Sequence, residues 1–196
     1  IKVKSELKVP FFDYPSVFKE FDNELTHIFN DVCSKGAYIL QKELDDFEKN
    51  LAHYSGCKYA LGVANGTDAL IIALRAAGIK EGDEVIFSTH TYVATAAAIH
   101  FVGAIPIPVE CGEDHMIDVT KIEDAISTKT TAIMPTQLNG RCSDMDTIQS
   151  ICDKHNLILI EDAAQALGAT YKGKCAGTFG AAGTISFYPA KTLGCF

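Results

Sequence analysis

An acid and a lysine stand near the two ends of the stretch IEDAAQALGATYKGKCAGTFGAAGTISFYPAK, residues 160–191. The acid pair Glu161-Asp162 follows the apolar run Leu157-Ile158-Leu159-Ile160. That pattern sets Asp162 at the end of a buried strand, where an anion needs a cationic partner. Lys191 sits between Ser186-Phe187-Tyr188-Pro189-Ala190 and Thr192-Leu193-Gly194, an apolar setting that favours a neutral, nucleophilic amine. Gly168, Gly173, Gly177, Gly180 and Gly183 lie between the two, and backbone this permissive can close around a ligand. The stretch reads as a cofactor cradle.

Two further stretches have the makings of a site. Asn65-Gly66-Thr67 joins a strand-like run to a helix-like one, so its amides open a helix with unsatisfied donors and can bind a phosphate. An ordinary N-cap turn, with Asp68 in the first turn, explains the same residues. Tyr92, in TYVATAAAI, is either a core aromatic or a flat face on which a ring stacks. Asp162 has its own plain alternative, capping a short helix over Ala163–Leu167. No Walker loop or GxGxxG fingerprint is present to support an ATPase or a dinucleotide enzyme.

These residues need a scaffold, and the chain alternates strand-like and helix-like runs to supply one. Val17, Phe21, Leu25, Ile28 and Val32 recur at helical spacing after Ser16, the expected N-cap, with Gly36 as the stop. A second helix is expected over Gln41–Tyr54, ending at Gly56. Then Tyr59–Val63 precedes a helix at Thr67–Ala77, Glu84–Ser88 one at Val93–Phe101, and Ile105–Val109 one at Val119–Ile126. Ala132–Pro135 precedes Asp144–His155, and Leu157–Glu161 precedes Ala163–Leu167. Short apolar strands alternating with helices indicate βαβ units, hence an α/β fold whose mostly parallel sheet is covered on both faces. In such a sheet ligands sit at the carboxyl ends of the strands, where the Asn65, Thr89–Tyr92 and Glu161-Asp162 stretches all fall. No linker divides the run, so the only internal boundary expected sets off an N-terminal arm at residues 1–15.

Composition narrows the partners. With 196 residues, 47% hydrophobic and 21% charged, the chain can bury a solid core. A net charge of −8 argues against a nucleic-acid binder, which needs a basic face. No stretch suits a membrane-spanning helix or a signal peptide, and the expectation is a cytoplasmic protein with no membrane partner. The seven cysteines are scattered and form no CxxC pair, which suits reduced thiols. Cys142, Cys152 and His155 lack zinc-ligand spacing, so no metal site is expected. The Asn65-Gly66-Thr67 sequon reads as accidental.

Four ordered motifs, ANGTDAL at 64–70, STHTYVAT at 88–95, EDAAQALGA at 161–169 and SFYPAKTLG at 186–194, with GDEVIF at 82–87, resemble the DegT/DnrJ/EryC1/StrS family. These are sugar aminotransferases with the aspartate aminotransferase-like fold of pyridoxal-phosphate enzymes. The resemblance runs from about Val9 to the end of the chain. It implies a three-layer α/β/α large domain over residues 16–196, with the family's small C-terminal domain missing after the lysine. It also implies residue roles. Lys191 matches the lysine to which pyridoxal 5'-phosphate is attached, and Asp162 the acid that pairs with the pyridine nitrogen. Gln165 matches the glutamine beside the 3′-oxygen and Tyr92 the aromatic that stacks on the ring. Gly66, Thr67 and Ser186 match the phosphate cup.

The implied reaction moves an amino group from an amino acid, glutamate by analogy, to a keto group of a nucleotide-activated sugar, in amino-sugar biosynthesis for a surface polysaccharide or a glycosylated product. A homodimer with shared active sites is implied as well. Lysine rather than histidine at position 191 favours transamination over the deoxysugar dehydration of another branch, and a cofactor-binding regulatory protein is a third alternative. Where the family usually has a VHLYG-like segment, this chain has Pro135-Thr136-Gln137-Leu138-Asn139-Gly140-Arg141, and it has Gln41 where glycine is common after a YIL-like segment. Both changes are expected on the substrate side, with Arg141 either meeting a nucleotide phosphate or lying on the surface.

Overall fold

The computed structural model describes residues 10–195. The chain divides into two compact units, Ile1–Asp45 and Asp46–Phe196; residues 1–9 of the expected N-terminal arm lie outside the described residues.

The first unit is built on helix α1, Tyr14–Lys35. Its N-cap is Asp13, whose carboxylate accepts the Ser16 N–H at 3.2 Å and the Ser16 hydroxyl at 2.7 Å, so the helix starts earlier than the expected Ser16 cap. Pro15 explains the early start, because its fixed φ and missing N–H suit the first turn of a helix. Gly36 ends the helix in the left-handed conformation, φ 64°. Helix α2, Lys42–Ser55, straddles the division between the units.

The second unit is a parallel five-stranded sheet in the order β2-β1-β3-β4-β7. Its strands are β1 (Glu84–Ser88), β2 (Ile105–Val109), β3 (Thr130–Met134), β4 (Ile158–Asp162) and β7 (Ala182–Thr184). A separate hairpin pairs β5 (Thr170–Tyr171) with β6 (Lys174–Cys175). Its turn carries Lys172 at φ 49° and Gly173 at φ 83°, the two positive φ values of a type I′ hairpin loop.

Strand alternation divides the core into two layers. Val85, Phe87, Ala132, Met134 and Ile160 face helices α3 (Gly66–Ala76) and α4 (Val93–Phe101), packing on Leu70, Leu74 and Ile99. Ile86, Ile133 and Leu159 face the other way, onto Ile148 and Ile151 of α5 (Met145–His155) and onto Ile117 and Ile122. The three-layer α/β/α arrangement expected from the sequence is the one observed. Among the described residues no helix is long and apolar enough to cross a membrane.

Three expected elements are absent. Tyr59–Val63 has no regular structure and joins no strand; its Gly62 N–H goes to the Glu48 carboxylate at 2.7 Å, and Tyr59 and Leu61 are 73% and 80% exposed. A strand needs a neighbour to take its backbone groups, and this segment pairs with none of the five. Val119–Ile126 forms two 3₁₀ turns, Val119–Lys121 and Glu123–Ala125, hinged on the fully buried Ile122. Ala163–Leu167 makes successive turns instead of a helix, because its backbone is spent elsewhere: the Ala163 N–H bonds to the Thr184 carbonyl at 2.9 Å, and the Gln165 carbonyl accepts the Gly140 N–H at 2.9 Å.

Candidate active site

Asp162 ends β4 and is 3% exposed. Its backbone is locked beside Thr136: the Gln137 N–H bonds to the Asp162 carbonyl at 2.8 Å, and the Asp162 N–H to the Pro135 carbonyl at 3.0 Å. The carboxylate lies on the α3/α4 side of the sheet. Oδ2 accepts the Thr95 hydroxyl at 2.6 Å and Oδ1 the Ala164 N–H at 3.2 Å. Burial pushes the Asp162 pKa above the ordinary carboxylate value, while the Thr95 hydroxyl, the Ala164 N–H and the charge of Lys191 pull it back. A buried anion held in this way is available to a positively charged ligand.

Lys191 lies in a turn, its N–H bonded to the Tyr188 carbonyl at 2.8 Å, and is partly buried. The loop around it is tight. The Cys195 N–H returns to the Phe187 carbonyl at 2.8 Å, and a Cβ on Gly194 would lie 2.3 Å from the Pro189 carbonyl oxygen.

The opening of α3 is both an N-cap turn and a cradle. Asn65 caps the helix by accepting the Asp68 N–H at 2.9 Å, and its amide donates to the Asp68 carboxylate at 2.9 Å. The cap uses the third amide; those of Gly66 and Thr67, at the first two helical positions, have no acceptor within the helix. Gly66 packs on Ser186, so closely that a Cβ on Gly66 would lie 3.2 Å from Ser186 Cβ and 3.5 Å from its Oγ. Two parts of the expected phosphate cup, 120 positions apart in the chain, therefore meet.

Tyr92 stands at the N-cap position of α4, makes no side-chain capping bond and is 66% exposed. The core-aromatic alternative fails. Gln165 is partly buried in the turn after β4.

Several residues escaped sequence reasoning. Thr95, fully buried, and Thr91 place their hydroxyl oxygens 2.6 Å apart, and the Thr136 hydroxyl donates to Thr91 at 2.9 Å. The available signal was Thr91 and Thr95, four positions apart across the start of α4 in STHTYVAT. Glu161 turns to the α5 side, fully buried. It accepts the Gln137 amide at 2.7 Å and the Phe179 N–H at 2.6 Å. Gln137 in turn accepts the Ser143 N–H at 2.7 Å. Gln137, expected on the substrate side, is 0% exposed and belongs to this core network. Arg141 is exposed. All seven cysteines are free, and among the described residues no three His, Cys, Asp or Glu side chains gather to hold a metal.

The model of the DegT/DnrJ/EryC1/StrS aminotransferase family matches residues 19–196. The chain belongs to this family. Among its relatives is the dTDP-3-amino-3,4,6-trideoxy-alpha-D-glucose transaminase of Streptomyces venezuelae, 43% identical over 96% of this chain and 50% of that protein. A dTDP-3-amino-3,6-dideoxy-alpha-D-galactopyranose transaminase of Aneurinibacillus thermoaerophilus is 46% identical over 91% of this chain and 50% of its own length. Solved structures agree. S. venezuelae DesV, in complex with ketimine intermediate, superposes with a TM-score of 0.93 at 43% identity, over 96% of this chain and 51% of that one. NtdA from Bacillus subtilis with bound cofactor PMP gives 0.91 at 34% identity, over 100% and 45%. This family member spans about half the length of the relatives it matches.

Proposed function

We propose that this chain carries the cofactor-binding part of a pyridoxal-phosphate-dependent aminotransferase. The enzyme would move an amino group from an amino acid, glutamate by family analogy, to a keto group of a nucleotide-activated sugar. The observations that carry this reading are the buried Asp162 carboxyl on which the charge of Lys191 acts and the Gly66–Ser186 contact.

The residues fit the cofactor. The Gly66 and Thr67 amides and the Ser186 hydroxyl are donors for a phosphate at a helix N-terminus. Tyr92 offers an exposed ring face for stacking. Asp162, whose ionised form is favoured by donors on both oxygens, would pair with a protonated ring nitrogen, and Gln165 serves the ring oxygen. When bound, pyridoxal phosphate supplies a sink for the electron pair left as the substrate carbon loses its proton. Lys191 carries that proton to and from the carbon as general base and acid. The working enzyme is proposed to be a cytoplasmic homodimer with shared active sites, serving amino-sugar synthesis for polysaccharide or a glycosylated product.

The test is the absorption of the purified full-length protein. A band near the visible edge is expected, lost in Lys191→Ala and bleached by glutamate with release of 2-oxoglutarate. Absence of the band, or its persistence in Lys191→Ala, would overturn the assignment. One relative supports a second reading, the pleiotropic regulatory protein of Geobacillus stearothermophilus, 40% identical over 97% of this chain. A regulatory protein would show a band that glutamate leaves unchanged.

A further inference from the structure

Three hydroxyls run in line to the Asp162 carboxylate. Thr136 donates to Thr91 at 2.9 Å, Thr91 and Thr95 lie 2.6 Å apart, and Thr95 donates to Asp162 Oδ2 at 2.6 Å. Thr95, Thr136 and Asp162 are each at most 4% exposed. We propose that Thr136, Thr91 and Thr95 are positioning residues: a one-way hydroxyl relay that keeps Asp162 charged and leaves its Oδ1 as the oxygen that meets a cationic ligand.

Counting protons gives the direction. A threonine hydroxyl has one proton to donate and two lone pairs. A carboxylate can only accept, so the Thr95 proton goes to Oδ2, and Thr95 must then accept from Thr91. The Thr91 proton being used, Thr91 accepts from Thr136. All three hydroxyls point toward the acid, and each polarises the next. Were Asp162 protonated on Oδ2, the buried Thr95 hydroxyl would lose its acceptor, and would either leave its proton unpaired or turn it back on Thr91 and reverse the links behind it. The relay therefore favours the anion. The two oxygens are also made unequal: Oδ2 takes a short, charge-assisted bond, whereas Oδ1 takes a single longer backbone N–H at 3.2 Å and keeps acceptor capacity.

The setting isolates the effect. Among the described residues, the charge that acts on Asp162 is that of Lys191. The elements packed around the acid contribute threonines: Thr95 from α4, Thr136 after β3, and Thr184 from β7, whose hydroxyl goes to the Glu161 carbonyl at 3.2 Å. The identity of the cationic ligand as a protonated cofactor ring rests on the function proposed above; the relay does not.

The experiment uses the full-length protein labelled with ¹³C at aspartate carboxyls, stripped of cofactor, with the Asp162 signal assigned through Asp162→Asn. Thr95→Val should move the Asp162 titration midpoint upward, Thr95→Ser should restore it, and Thr136→Val should move it upward by less. Pyridoxal phosphate should bind about tenfold more weakly to Thr95→Val than to wild type, the scale of one hydrogen bond to a charged group, and normally to Thr95→Ser. An unmoved midpoint in Thr95→Val, or equal shifts in the valine and serine variants, would overturn the proposal. An unmoved midpoint in Thr136→Val would end the relay as a chain. If wild-type protein binds no pyridoxal phosphate, the proposed function fails while the titration still decides the relay.

Discussion

Glu161 and Asp162 are neighbours in the chain and serve opposite faces of the sheet. Asp162 bonds to Thr95 on the α4 side and Glu161 to Gln137 toward α5. Successive side chains of a strand alternate, so the pair splits into one acid at the candidate site and one in the core. The core acid is the more completely enclosed, at 0% exposure against 3%. It lacks an ion-pair partner within bonding distance among the described residues and depends on neutral donors.

Burial pushes the Glu161 pKa above its ordinary 4.5, against the pull of the Gly177 and Phe179 N–H groups, the Gln137 amide and the charge of Lys174. The folded state therefore holds this proton more firmly than the unfolded chain does. The contribution to stability is complete below the unfolded-chain value and is lost as pH rises through the raised one. Glu161→Gln removes that dependence. Denaturant unfolding of the full-length protein between about pH 4 and 8 should show wild type losing stability relative to the variant as pH rises. A difference that stays flat, or grows in favour of wild type, contradicts the reading.

Gln137→Leu strikes the same network from the other side. It removes a donor from Glu161 and strands the Ser143 N–H that Gln137 accepts. Unfolding should become easier by about 2–4 kcal/mol, the cost of leaving buried partners unsatisfied. Affinity for pyridoxal phosphate should stay within about twofold of wild type, since Gln137 faces away from Asp162. A large loss of affinity with unchanged stability would return Gln137 to the substrate side.

Gly66→Ala tests the cradle. A methyl 3.2 Å from Ser186 Cβ forces the serine or the helix start to shift, while alanine itself suits the first turn of a helix. Binding of pyridoxal phosphate, titrated into cofactor-free full-length protein, should weaken about tenfold through loss of roughly one good phosphate hydrogen bond. The unfolding free energy should change by less than about 1 kcal/mol. Unaltered affinity would place the phosphate elsewhere.

Much of this architecture was legible in the residues. Val93–Phe101 and Ile105–Val109 were readable to the residue, because an apolar run between glycines and turn residues leaves little choice. Gly36 and Gly56 marked helix ends correctly, at φ 64° and 70°. Tyr59–Val63 was misread because strand character shows in a sequence, whereas the partner that makes a strand does not. Ala163–Leu167 failed for a related cause: its helix-forming alanines are overridden by hydrogen bonds to Thr184 and Gly140, 21 positions onward and 25 positions back from the residues that make them.

The sequence by itself determined the alternation that puts Glu161 and Asp162 on opposite faces, a capped helix start at Asn65-Gly66-Thr67, and the candidates Asp162, Lys191, Gly66 and Ser186. These follow from local rules of period, capping and residue chemistry, which act over a few residues. Tertiary structure alone decided that Gly66 would touch Ser186, that Gln137 would serve the core, and that Thr91, Thr95 and Thr136 would line up behind Asp162. The Gln137–Glu161, Thr136–Thr91, Thr95–Asp162 and Gly66–Ser186 contacts join parts of the chain 24 to 120 positions apart. Their distances are set by how the sheet stacks its strands and helices, which no local pattern encodes.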